Sequence, residues 1–303
     1  VNVLARIAGD DGVAYVAWVD GGDERSARLG GKMLRETRAG RAPRPVIGDW
    51  VELTADGIVA SLRPRRTTLA RKAAGLRDVE QVMAANVDVA FVATAADGDV
   101  NERRLERYLA VAHDGGVTPV VLLTKADACA DVGKEMSRIR AVSGSTDVVV
   151  VSAKSGQGLG EVAQRIEKGM LAALLGSSGV GKSTLVNALL GEARQRVGGL
   201  REDGKGRHTT TRRELVRLPT GGLLIDMPGM RELGLLDAEE GLDETFPDVS
   251  GAATRCRFND CRHTGEPGCA VQEALERGEL SAERFESWKK LAGELRVRKK
   301  PRR

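Results

Sequence analysis

The sequence predicts a multidomain chain: a small N-terminal β-barrel, a central α/β unit on a parallel sheet, and a C-terminal cysteine-bearing helical module. Three observations carry this. Short apolar runs split by turn signals fill residues 1 to about 80. Continuous apolar runs alternating with amphipathic helical stretches fill the middle. Three cysteines and a histidine crowd into Cys256–Cys269, with helical periodicity after them.

The barrel comes first. Val13–Val19 and Trp50–Leu53 are short and apolar, and Asp20-Gly21-Gly22, Gly48-Asp49 and Asp56-Gly57 punctuate them. Aromatics are only 3% of the chain, so its cores must be built from Val, Leu, Ile and Ala. Ser61–Arg77 carries six bases and no acid. In an oligonucleotide-binding (OB-type) barrel such a stretch tracks a phosphate backbone; otherwise it is a solvated linker.

The middle reads as a parallel sheet. Val87–Thr94, Pro119–Leu123, Asp147–Val151, Met170–Leu175 and Leu223–Ile225 are continuous apolar runs, as strands covered on both faces require. Asn101 is placed to cap a helix with Leu105, Tyr108, Leu109 and Ala112 on one face, ended by Gly115-Gly116. Leu159, Val162 and Ile166 form a second such face.

Gly176-Ser177-Ser178-Gly179-Val180-Gly181-Lys182-Ser183, followed by Thr184, fits the phosphate-loop pattern in full. It follows a strand and opens a helix, the setting the motif needs. Its backbone N–H groups and the helix dipole suit phosphate oxygens; Lys182 suits the β- and γ-phosphates, and the Ser183 hydroxyl suits Mg²⁺. Thr124-Lys125-Ala126-Asp127 resembles the guanine-reading motif of GTPases, in which the Asp accepts two hydrogens that adenine lacks. Thr124 stands where Asn is usual; this removes an amide that normally braces the loop and predicts lower nucleotide affinity. Ser152-Ala153-Lys154 resembles the second base-contacting loop of GTPases. Asp226-Met227-Pro228-Gly229 resembles the motif in which an Asp holds Mg²⁺ through water and the Gly229 N–H senses the γ-phosphate. The preceding Gly206–Thr211 segment offers Thr210 as a Mg²⁺ ligand and His208 as a water-positioner, His208 being equally readable as a loop residue meeting a partner or solvent.

In ordinary GTPases the phosphate loop comes first and the base-reading motifs last. Here the base-reading motifs come first, so the domain reads as circularly permuted, which is tolerated when the old termini lie close together. Met230 follows Gly229, where Ras-like enzymes place a water-orienting Gln nearby. Slow intrinsic hydrolysis, accelerated by a partner, is expected.

Cys256, Cys261, His263 and Cys269 supply three thiolates and one imidazole, a set suited to tetrahedral Zn²⁺. Ser281 is a plausible cap for a helix that aligns Phe285, Trp288, Leu291 and Leu295. From Lys289 to Arg303 there are eight bases and one acid, which suits a polyanionic partner or a solvated tail equally. No apolar run is long enough to span a membrane and no secretory signal is visible, so a cytoplasmic protein is expected. One copy of each motif suggests a monomer.

Together these residues resemble one family over nearly the whole chain, the ribosome small subunit-dependent GTPases (RsgA). The resemblance rests on Gly48-Asp49-x-Val51, the permuted motif order, GSSGVGKST, GRHTTT, DMPG and C-x4-C-x-H-x5-C. It implies an OB-type RNA-binding domain (1–78), a circularly permuted P-loop GTPase domain (79–236) and a zinc-binding α-helical domain with a basic tail (237–303). It further implies GTP or GDP with Mg²⁺, one structural Zn²⁺, and binding to the small ribosomal subunit and its rRNA, with GTPase stimulation there during late maturation. A GTP-dependent nucleic-acid-binding regulator and a P-loop ATPase or small-molecule kinase are the competing readings.

Overall fold

The computed structural model describes residues 2–19, 22–72, 80–191, 215–226 and 239–296. Strands β1 (Val3–Asp10), β2 (Tyr15–Val19), β3 (Glu24–Leu29), β4 (Trp50–Leu53) and β5 (Ile58–Leu62) close a barrel in the order β1-β2-β3-β5-β4. All its pairings are antiparallel except β3 with β5, and helix α1 (Gly31–Arg38) joins β3 to β4. This is the OB-type topology. Alternate residues point inward, and a five-stranded barrel leaves them little room. Ala5, Ala17 and Ala27 therefore sit among Ile7, Val51, Leu53 and Val59.

A hairpin, β6 (Thr68–Lys72) with β7 (Glu80–Ala85), leads into the six-stranded sheet. Its strands are β8 (Val89–Ala95), β9 (Thr118–Thr124), β10 (Val148–Val150), β11 (Leu171–Gly176), β12 (Leu215–Arg217) and β13 (Leu223–Asp226). The order is β10-β9-β8-β11-β13-β12, parallel throughout except at β12. Every residue of β8 is buried, as its apolar run demands. Helices α2 (Glu102–Asp114), α3 (Val132–Ser143), α4 (Leu159–Gln164) and α5 (Lys182–Leu190) complete the α/β unit. Asn101 caps α2 by accepting from Arg104 N at 2.9 Å, as the sequence predicts. Phe91, Leu122, Ala172 and Leu174 on one sheet face meet Val162, Ile166, Leu185 and Val186.

The opposite sheet face is shared. Val92, Val121, Ala173 and Ile225 belong to the same cluster as Leu105, Tyr108 and Leu109 of α2. That cluster runs on into the C-terminal helices α6 (Glu239–Thr245), α7 (Pro247–Ala253), α8 (Ala270–Glu276) and α9 (Ala282–Arg296) through Leu242, Phe246, Val249, Val271, Phe285 and Trp288. The C-terminal helices thus complete the core of the α/β unit. Each fully buried side chain of this size contributes about 1.5–3 kcal/mol.

Two sets of arginines stitch the parts together. Of the basic segment after the barrel, Arg65 grips Asp49 through Nε and Nη2 at 2.9 and 2.8 Å, with Asp49 fully buried. Arg63 pairs with Glu52 and Arg66 with Asp88. Three of the segment's six bases thus face acids of the barrel and sheet, and Arg71 Nε donates to Gln81 Oε1 at 3.1 Å; Arg63 and Arg66 stay largely exposed, and Arg77 lies outside the described residues. Arg6, buried and lowered to about 10 by that burial, lies over Trp50 and donates to the carbonyls of Gly48, Asn86 and Gly169.

The second set holds α9 against α2. Arg284 Nη1 lies 3.1 Å from Glu106 Oε1, Nε 2.6 Å from Asp248 Oδ2, and Nη2 2.8 Å from Thr245 O. Its guanidinium also lies over the Phe246 ring, and Ser287 Oγ donates to Glu106. Glu106 is 1% exposed. Removing one member of a buried pair strands the other. Arg284→Ala is expected to cost about 3 kcal/mol, read as a lower urea midpoint; an unchanged midpoint would show that the pair does not hold the helices.

Candidate nucleotide and metal sites

The carboxyl-terminal ends of β8, β9 and β11 lie side by side, because β8 pairs in parallel with both neighbours. Crevices at such strand ends are where open α/β sheets bind ligands. The phosphate loop leaves β11 at Gly176, whose φ is +144° and whose missing Cβ would sit 2.6 Å from Ala93 O. Only glycine fits there. Val180 is buried and anchors the loop, while Ser178, Gly179, Ser183 and Thr184 are exposed. Gly181, with φ +98°, precedes the first turn of α5. The Lys182 ammonium donates to Gly176 O at 2.8 Å and Ser177 O at 2.7 Å. Ser177 Oγ donates to Asp99 Oδ2 at 2.8 Å.

The base-reading candidates follow β9. Thr124 is 3% exposed, and its hydroxyl donates to Val180 O at 2.6 Å, with Thr94 O at 3.3 Å. The amide that Asn would supply is absent, and the shorter threonine's hydroxyl reaches the phosphate loop itself. Lys125 adopts φ +56° and pairs with Asp97 Oδ2 at 2.8 Å. Ala126–Ala128 form a single 3₁₀ turn that leaves Asp127 exposed. The buried Ser152, just beyond β10, donates from Oγ to Asp127 Oδ1 at 2.6 Å. That hydrogen bond holds the Asp127 carboxyl below the usual range. Ser152 Oγ in turn accepts from Ser155 N at 3.1 Å, so the Ser152-Ala153-Lys154 loop aims Asp127. Lys154 is exposed and lowers the Asp127 carboxyl further.

Asp226 closes β13, opposite Leu174 of β11. His208, Thr210 and Gly229 lie outside the described residues, as do residues 297–303 of the basic tail. Sequence reasoning missed Asp97 and Asp99. A turn signal marks them, but no motif announces that they touch the phosphate and base-reading loops.

The third constellation lies between α7 and α8. The ligating atoms of Cys256, Cys261, His263 and Cys269 all fall within 4.8 Å of one another. Cys256 Sγ is 4.0 Å from Cys269 Sγ and 3.6 Å from His263 Nδ1; Cys269 Sγ is 3.5 Å from the same nitrogen. Zn–S bonds of about 2.3 Å place tetrahedral sulfurs about 3.8 Å apart, so the donor set fits zinc. Burial, with the adjoining Cys269 and Cys256 thiols, raises the Cys261 thiol to about 11. A divalent cation reverses that preference by stabilising thiolates. Glu266 braces the loop: it accepts from Thr264 N at 2.7 Å and Arg262 N at 2.9 Å, which hold its carboxyl down at about 2. Gln272 Nε2 donates to His263 O at 2.6 Å, and Trp288 of α9 lies 5.4 Å from the His263 ring.

Comparison with known proteins matches this architecture. A family model described as RsgA GTPase fits residues 62–236. The chain is 43% identical over 299 residues to "Small ribosomal subunit biogenesis GTPase RsgA 2" of Lactiplantibacillus plantarum, covering 97% of this chain and 84% of that one. It is 50% identical over 257 residues to "Small ribosomal subunit biogenesis GTPase RsgA" of Xylella fastidiosa, covering 84% and 75%. Among solved structures, YjeQ from Thermotoga maritima aligns with a TM-score of 0.73 at 25% identity, over 99% of this chain and 100% of that one. YloQ, titled a circularly permuted GTPase, aligns at 0.67 and 24% identity over 100% and 98%, and shows the same fold. No helix among the described residues is long and apolar enough to cross a membrane. A family model over more than half the chain, and relatives this similar along most of its length, lead to one conclusion: the chain belongs to the RsgA GTPase family of GTP hydrolases.

Proposed function

We propose that this chain hydrolyses GTP at the joined ends of β8, β9 and β11, and does so in step with binding the small ribosomal subunit during its maturation. One observation carries the site: the Thr124 hydroxyl, bonded to Val180 O, ties the base-reading loop to the phosphate loop. A guanine nucleotide spanning that junction places its base by Asp127 and its phosphates by Lys182. Asp127, aimed by Ser152, accepts from guanine N1 and N2. The Lys125 stem covers the base, with Ala126 in the same turn, and the loop of Ser152, Ala153 and Lys154 meets its O6 edge. Gly176, Ser177, Ser178, Gly179, Val180, Gly181, Ser183 and Thr184 surround the phosphates.

In the reaction, water attacks the γ-phosphorus, the bond to the β–γ bridging oxygen breaks, and GDP and inorganic phosphate leave. Lys182 neutralises charge growing on the phosphate oxygens. We assign Gly229 N–H to the γ-phosphate and His208 to orienting the water. Ser183, Thr210 and Asp226 would hold Mg²⁺, directly or through water. When bound, that ion neutralises phosphate charge and orients the oxygens. With no Gln beside Gly229, intrinsic turnover is slow until a partner completes the site.

The partner assignment rests on the names of the relatives, which are small ribosomal subunit biogenesis GTPases. We extend it to rRNA: Arg25, Arg28, Lys32, Arg35 and Arg38 are exposed on the barrel, and the tail is strongly basic. We propose a cytoplasmic monomer. We also propose a division into a barrel domain to residue 78, a nucleotide domain to 236 and a zinc domain beyond; the barrel's own core and the four-ligand cluster support its ends.

Three measurements test this. GTP turnover should rise at least tenfold when purified small subunits are added; fast turnover of the isolated protein, or no response to subunits, contradicts the proposal. Thr124→Val leaves Val180 O without its buried donor and should weaken GDP binding about tenfold, while Thr124→Ser keeps it. Equal affinity of all three proteins would dismiss the bridging role. Metal analysis should find about one zinc per chain, lost in Cys261→Ala. A Cys261→Ala protein that keeps its full metal content would exclude this ligand set.

A further inference from the structure

The loop between β8 and α2 belongs to none of the motifs read from the sequence, yet it touches two of them. Asp97 Oδ2 pairs with Lys125 Nζ at 2.8 Å, on the base-reading loop. Asp99 Oδ2 accepts from Ser177 Oγ at 2.8 Å, on the phosphate loop. Gly98 between them takes φ +101°, a conformation that L side chains rarely adopt. The turn is held from behind. Ala96 N donates to Thr124 O at 2.9 Å, Asp99 N to Ala95 O at 3.2 Å, and Thr94 Oγ1 to Asp99 O at 3.3 Å.

We propose that the Asp97-Gly98-Asp99 turn is a positioning element of the nucleotide site, in which Asp99 sets the phosphate loop through Ser177 and Asp97 sets Lys125 beside the base. This rests on the reading of the site as a guanine-nucleotide site. Two carboxylates close to a triphosphate would repel it, but each has a cation. Lys125 serves Asp97. Arg104 Nη2 serves Asp99, at 2.9 Å from Oδ1 and 2.6 Å from its carbonyl oxygen. Neither carboxylate needs to meet the ligand. Asp99 acts one residue removed: it fixes Ser177, and the Ser177 and Gly176 carbonyls receive the Lys182 ammonium. A chain of contacts thus runs from Arg104 through Asp99 and Ser177 to the lysine that serves the phosphates. Preorganisation of this kind raises affinity without a new ligand contact.

The two carboxylates therefore separate by ligand part. Asp99 governs the phosphate half and Asp97 the base half. The test measures binding of GDP, and of guanosine by competition, to the full zinc-loaded chain and its variants. Asp99→Ala should weaken GDP about tenfold and leave guanosine unchanged. Asp99→Asn, which keeps an acceptor for Ser177, should recover GDP binding to within about twofold. Ser177→Ala should match Asp99→Ala, and the double variant should lose no more than either single one, because both remove the same contact. Asp97→Asn should weaken guanosine and GDP together, by about threefold. The proposal is overturned if Asp99→Ala binds GDP normally, if it weakens guanosine as much as GDP, or if the two single losses multiply in the double variant. If the unaltered chain binds no GDP, the nucleotide-site reading itself fails, and the proposal with it.

Discussion

The Thr124 hydroxyl makes one site out of two motifs. β9 and β11 are not neighbours in the sheet; β8 lies between them. A side chain at the end of β9 must cross the end of β8 to reach the phosphate loop. Small residues make that crossing possible: Ala93 and Ala95 on β8, and Gly176, where any Cβ would press on Ala93 O. Thr124 then bonds Val180 O across the gap, sealed from water. A hydroxyl carries one hydrogen, and the 2.6 Å contact takes it; Thr94 O, at 3.3 Å, is secondary. The junction fixes the end of β9 against the phosphate loop, and the Asp97 and Asp99 contacts join the same two loops beside it.

Much of this was legible in the sequence, and the gaps have physical causes. The strands of the parallel sheet were readable because burial on both faces writes unbroken apolar runs, as in Val89–Ala95. The Asn101 cap and the Ser281 cap were readable because capping needs few residue types. The ligand cluster was readable because cysteine is rare and three of the four crowd with a histidine into Cys256–Cys269. The barrel was only half visible: β1 and β5 carry arginine, glycine and serine among their apolar residues, and the parallel closure of β3 on β5 leaves no local mark. Tertiary contacts decided the rest. Nothing local shows that Arg65 grips Asp49, that Thr124 reaches Val180, or that Asp99 meets Ser177, because each partner lies many residues away.

Charge distribution looks different once those contacts are known. The basic run after the barrel would by composition be the first candidate for a polyanion. Its central arginine is withdrawn into a buried pair, and its neighbours face Glu52 and Asp88. Among the described residues of the barrel, Arg25, Arg28, Lys32, Arg35 and Arg38 of β3 and α1 are exposed.

Permutation gives the fold a mechanical asymmetry. In chain order β13 and the DMPG segment at residues 226–229 precede α6, which lies on α2. Gly241 of α6 permits that approach: a Cβ there would sit 2.3 Å from Ala110 O. His113 of α2 and Glu244 of α6 pair at 2.7 Å beside it. Farther back along α2, Glu106 receives Arg284 and Ser287 of α9, and at its start Arg104 holds Asp99 against the phosphate loop. One helix therefore contacts the phosphate loop's support, the helix after the DMPG segment, and the helix that packs on the cysteine cluster. The core is continuous across α2, so these contacts share one packed interior.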